Sequence, residues 1–170
     1  MRQNANAGSS IGSTAGTLLL VAAAMGAIDL AIAAIYWNIP LERILRSVAR
    51  WFVDVRSMAP LAAAVTGAFV QLAMMLLMIL GAVPLGRLFE SGKPAVRIAM
   101  LGVLYGGAFY IFQFHVLLPI FHPLPDLGLR WELACIADYA LLLGPCALTL
   151  VHLLARPSPM PRGHIMAAPA

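Results

Sequence analysis

Four long apolar stretches, separated by short polar or proline-bearing segments, organise this chain. The first covers residues 15–37. It carries one charge, Asp29, and ends on Tyr36 and Trp37, an aromatic pair suited to a membrane interface. The second lies within 57–86 and the third within 98–121, both without a charge. The fourth covers 133–155 and contains Asp138. Each exceeds the roughly 20 residues that cross about 30 Å of hydrocarbon. Lipid offers a backbone no hydrogen-bond partner, so each stretch is predicted to be helical. The expected spans are about 15–37, 58–85, 98–120 and 133–155, and their even number puts both termini on one side.

Residues 40–53 follow a different pattern. On a helical wheel Leu41, Ile44, Leu45, Val48, Trp51 and Phe52 share one face, while Arg43, Arg46, Ser47 and Arg50 share the other. Pro40 suits a helix start. The pattern predicts an amphipathic helix lying in the membrane plane, with Arg43, Arg46 and Arg50 as an interfacial basic face. The fold class is therefore all-α: a four-helix transmembrane bundle over residues 15–156, with one interfacial amphipathic helix between spans one and two. Residues 1–14 are small and polar and read as a disordered tail. So do residues 157–170, which hold Pro157, Pro159, Pro161 and Pro169. The apolar run after residue 14 is too long for a signal-peptide core, so it reads as a retained first span. The loop after span three reads as proline-rich, beginning at Pro119.

Composition narrows the functional classes. The chain is 62% hydrophobic and 11% charged, against about 25% charged in soluble domains. That excludes a soluble enzyme, a nucleic-acid-binding domain and disorder. Of the 11 basic residues, Arg2, Arg87, Lys93, Arg97, Arg156 and Arg162 fall on the side of the termini, and Arg43, Arg46, Arg50, Arg56 and Arg130 on the other. The small excess favours termini in the cytoplasm. On a single helix Cys135 and Cys146 would stand about 16 Å apart, too far for a disulfide, so both are expected as free thiols.

Ionisable and polar residues inside the apolar stretches are the candidates for function, because placing them there is costly. Asp29, His115 and Asp138 all fall in the same leaflet, roughly 7–12 Å below one surface at 1.5 Å per residue. They can cluster if their spans pack side by side. Asp29 shares its face with Ala22, Gly26 and Ala33, a small-residue pattern that marks close helix packing. Span two presents Ala63, Gly67 and Gln71 as a matching small face that ends in an amide. On span three, Gly102, Gly106, Tyr110 and Gln113 share a face, and His115 lies nearly opposite. The candidate polar site is thus Asp29, Gln71, Gln113, His115 and Asp138, with Asp138 also near Arg130 in the chain.

Several enzyme patterns do not fit. A membrane aspartyl peptidase of the lipoprotein-processing type has this length and two aspartates, and Ala137-Asp138 matches one fragment of its pattern, but the asparagine-rich motifs are missing. No C-x-x-C pair, paired histidines for haem, zinc-ligand spacing or phosphate-binding glycine loop is present. No catalytic residue, metal or cofactor is expected. Met74, Met75 and Met78 read as apolar filling.

The run from Pro40 to Ala49 after Gly26-Ala27-Ile28-Asp29, together with Tyr105-Gly106, Tyr110 and Val116-Leu117-Leu118-Pro119, resembles a group of small four-span bacterial inner-membrane proteins. The resemblance covers about residues 15–156. It implies a multi-pass protein of the bacterial inner membrane and brings no substrate, cofactor or catalytic residue. In similar sequences a histidine often stands where Asp138 does, which puts a fixed catalytic role for Asp138 in doubt. The functional expectation is a non-enzymatic accessory or scaffold subunit, partnered by the lipid bilayer and by a second copy or a larger membrane complex, not by nucleic acid. Two alternatives are a small proton- or cation-coupled transporter using Asp29, and a membrane-embedded lipid-modifying enzyme using Asp29, His115 and Asp138. A polar cavity reaching Asp29 would favour the transporter, and an Asp29 sealed by Gln71 the accessory subunit.

Overall fold

The computed structural model describes residues 5–89, 94–121 and 128–155. Its first helix, α1, is Ala5–Trp37. It starts at Ala5 rather than at residue 15, so most of the segment expected as a disordered tail is helical. Small residues such as Ala5, Ala7 and Gly8 precede the apolar stretch without a proline to interrupt it. Asn38 ends α1 in the left-handed region, at φ 52°, a conformation asparagine tolerates. The Ile39 N–H closes the turn on the Ala34 carbonyl at 3.1 Å, and Pro40 prevents continuation.

The short helix α2, Leu41–Arg50, follows. Next comes α3, Pro60–Ala82, which tightens into a 3₁₀ segment, Val83–Phe89. The fourth helix, α4, runs as Pro94–Ile111, widens into a π-helical segment at Phe112–Leu117 and closes with Leu118–Phe121. The last, α5, has the same plan: Leu129–Asp138, a π segment at Tyr139–Leu143, then Gly144–Ala155. No strand occurs among the described residues. Four helices are long and apolar enough to cross a membrane, over Ala15–Trp37, Pro60–Gly86, Ala95–Phe121 and Leu129–Leu154. The C-terminal segment 157–170, expected as a disordered tail, lies outside the described residues.

The two π segments have a shared cause in the sequence. Pro119 and Pro145 lie inside the helices, not in loops, so the proline-rich loop expected after span three starts later than residue 119. A proline has no N–H for the carbonyl four residues back, and its ring crowds that carbonyl. Those carbonyls belong to His115 and Leu141, each within a π segment. Widening the turn lets the chain pass: Leu118 N–H reaches back to the Gln113 carbonyl, and Gly144 N–H to the Tyr139 carbonyl.

Glycine sets the contact between α4 and α5. A Cβ at Gly106 would overlap the Tyr139 carbonyl, one at Gly144 the Gly102 carbonyl, and one at Gly102 the Pro145 backbone. So α4 and α5 meet backbone to backbone, as small residues permit in a bundle. Met75, Met78, Ile79, Leu143 and Leu148 fill the space beside this seam and are fully buried. Tyr105 donates its hydroxyl to the Met78 carbonyl. Met75 and Met78 are apolar filling, as expected, and Cys135 and Cys146 are both free.

The amphipathic helix differs from its expectation. Leu45 of α2 rests its backbone on Gly67 of α3, where a Cβ would overlap the Leu45 carbonyl, and Val48 and Ala49 are buried. The small face Ala63 and Gly67, expected to receive span one, is taken by α2. It is one turn further along, at Gln71 and Met75, that α3 meets Gly26 of α1, at 3.4 Å from an added Cβ.

Candidate functional site: a two-aspartate cavity under an arginine rim

Asp29, from the second half of α1, and Asp138, at the end of the first segment of α5, come together. The two helices run antiparallel, which puts these positions at one depth, and the two carboxyl side chains reach each other. A hydrogen bond between two carboxyl groups needs a proton on one of them. Gln71 completes the arrangement by donating its Nε2 to Asp29 Oδ2. Beside it the Tyr139 hydroxyl donates to Gln113 Oε1 at 3.0 Å, both side chains buried. The π segments bear on this floor directly. Gln113 is the second residue of one, Tyr139 the first of the other, and Asp138 immediately precedes it. Widened turns of this kind occur frequently at functional sites.

These groups form the floor of a cavity of about 1230 Å³. Asp29, Gln71, Gln113 and Asp138, four of the five residues expected as a polar site, line it. His115 does not. It is exposed, with its ring edge-on to Tyr110 at 5.6 Å, on the far side of α4 as the helical wheel requires. The expected proximity of Asp138 to Arg130 is also replaced. Arg130 lies over the rings of Tyr36 and Trp37, at 5.5 and 5.7 Å, and its Nε reaches the Tyr36 hydroxyl at 3.5 Å.

The rim is basic. Arg43, Arg46 and Arg50, expected to face lipid headgroups, line the cavity together with Arg56. Among the described residues the carboxylate within ion-pair reach of these four is Glu42, 3.8 Å from Arg46 and exposed, a contact worth little at a surface. The walls are aromatic: Trp37, Trp51 and Trp131, the only tryptophans in the chain, all line the cavity. Phe114 ties two of them together, edge-on to Trp51 at 5.4 Å and to Trp131 at 5.2 Å.

Sequence reasoning missed Arg56, Tyr139 and the convergence of the tryptophans. The signal for the tryptophans was present. They stand at the end of span one, the end of the amphipathic helix and the start of span four, three places that the topology brings to one surface. Tyr139 carried no such signal, because its hydroxyl reaches Gln113 only through the widened turns. Among the described residues no group of three His, Cys, Asp or Glu side chains fits a metal ion. No family model, curated protein or solved structure matches the chain, so the geometry carries the functional argument.

Proposed function

We propose that this is a multi-pass membrane protein that works as a small proton-coupled transporter, with Asp29 and Asp138 as its proton site. The observation that supports this reading is the cavity that runs from an arginine rim to the paired carboxyls. A carboxyl pair that shares a proton can release and regain it without a metal or cofactor, and intramembrane acidic residues of this kind mark proton pathways. The cavity joins that pair to the surface. The resemblance to small bacterial inner-membrane proteins and the slight excess of basic residues on the side of the termini support an inner-membrane location with both termini cytoplasmic. A bundle of four spans that alternates access would work with a second copy of itself or within a larger complex.

A second reading, the accessory or scaffold subunit, draws on one observation: Gln71 holds Asp29 as a packing contact would. Against it, the small faces of α3 and α4 are covered inside the bundle, by α2 and by α5, and are not open to a partner. The lipid-modifying enzyme loses its support, because His115 stands outside the cavity.

Infrared difference spectroscopy on the protein in lipid tests the choice, with Asp29→Asn identifying the band. A water-connected proton site gives a carboxyl band that titrates with bulk pH and exchanges rapidly into D₂O. A band that ignores both removes the transport reading and leaves the scaffold.

A further inference from the structure

The charge on the cavity lining points to what the site takes. Four arginines, Arg43, Arg46, Arg50 and Arg56, face at most three negative charges, those of Asp29 and Asp138 in the lining and that of Glu42 beside Arg46. The lining is net positive however that pair is protonated, so it attracts anions and repels cations. Guanidiniums recognise carboxylate and phosphate by paired, charge-assisted hydrogen bonds. Beside the arginines the walls are apolar and aromatic. At about 1230 Å³ the space exceeds the roughly 300–1,000 Å³ typical of sites for small ligands. Room of that size, with arginines and tryptophan rings together at its mouth, suits a charged head group carried on an apolar body.

We propose that the ligand is an anionic amphiphile, a carboxylate or phosphate head on an apolar chain, bound with its head at Arg43, Arg46, Arg50 and Arg56 and its chain among Trp37, Trp51 and Trp131. This rests on the reading of the cavity as a transport site, and it assigns the two halves of that site different tasks. The arginines hold the anion, and the carboxyl pair at the floor holds the proton that accompanies it. The head group has two sources, a soluble organic acid or an anionic membrane lipid, with the same chemistry at the rim.

Because the three tryptophans of the chain all line the cavity, intrinsic fluorescence reports its occupancy directly. The full-length protein in phosphatidylcholine nanodiscs is titrated with ω-bromododecanoate, whose bromine quenches tryptophan, and in parallel with ω-bromododecanol and ω-bromododecylamine. The carboxylate is expected to quench saturably at a concentration about tenfold lower than the alcohol or the amine. Arg43→Gln with Arg50→Gln removes that preference, and Arg56→Gln alone weakens it. Nanodiscs that contain brominated phosphatidylglycerol distinguish the sources. Strong quenching there, displaced by unbrominated dodecanoate, identifies lipid as a natural occupant. Quenching only by the free carboxylate identifies a soluble acid, and both results support the inference. Equal quenching by all three amphiphiles, or preference for the amine, overturns it. So does an anion preference that survives all three arginine substitutions. Neither result depends on the Asp29 infrared band, so failure of the ligand class and failure of the proton site are read separately.

Discussion

The two ends of this bundle are built from the same helices and behave oppositely. At one end α4 and α5 touch backbone to backbone across Gly102, Gly106 and Gly144, beside fully buried Met75, Met78 and Leu148. At the other end α1, α2 and α5 surround a cavity with two carboxyls, two amides and a tyrosine at its floor. The π segments that precede Pro119 and Pro145 mark the division, at the level of Gln113 and Tyr139. The close half fixes the helices. The open half can then hold polar groups that a dry interface would exclude. The contrast shows how a chain this apolar secures a polar site: glycine contacts fix the helices, and Phe114 and Tyr139 carry the packed core up to the site.

The largest effect that would break this contrast is expected at the seam. Gly106→Val puts a branched side chain into the Tyr139 carbonyl and should cost about 3 kcal/mol, read as a lower midpoint in detergent unfolding. An unchanged midpoint would mean that the helices are not in backbone contact there. Gln71→Leu removes the amide donor from Asp29 and should cost about 1–2 kcal/mol, with a shift of the Asp29 infrared band. If the band does not move, Gln71 is not its partner.

Pro145→Ala sharpens the comparison at the seam itself, where the proline lies against Gly102. It returns an N–H to the Leu141 carbonyl, so net stability should change by about 1 kcal/mol or less. If the π turn reverts, residues on its two sides rotate relative to each other by about 100°. The expected outcome is separation of Asp138 from Asp29, seen as loss of coupling between their infrared bands. Persistent coupling would show that proline does not set the widened turn. The smallest effect belongs to Gly107→Ala. An added Cβ there meets nothing within 4 Å, and stability should stay within about 0.5 kcal/mol. A large loss at Gly107 would place the seam on the wrong face of α4.

Much of this arrangement was legible in the order of residues. The four helices follow from apolar length alone, because a backbone in lipid must satisfy its own hydrogen bonds. The equal depth of Asp29 and Asp138 follows from antiparallel neighbours and a fixed rise per residue. The exclusion of His115 follows from its angle to Gly106 and Gln113. The helical start at Ala5 was not legible, since weak helix propensity in small polar residues does not by itself distinguish a tail from an extension.

What only the tertiary structure decided is which faces meet. Ala63 and Gly67 offered one small surface to either α1 or α2, and a pattern of small residues specifies closeness without naming a partner. The Leu45 backbone fills it, and that docking turns Arg43, Arg46 and Arg50 toward the cavity instead of leaving them only to headgroups. Helical periodicity likewise assumes a constant turn. Two prolines changed that turn at the level where the site forms, and so Tyr139, Gln113 and Asp138 came to share one floor. Sequence order fixed the depth of each polar residue along the bundle axis, because rise per residue is local. Azimuth and partner depended on how five helices, two of them widened, packed at once.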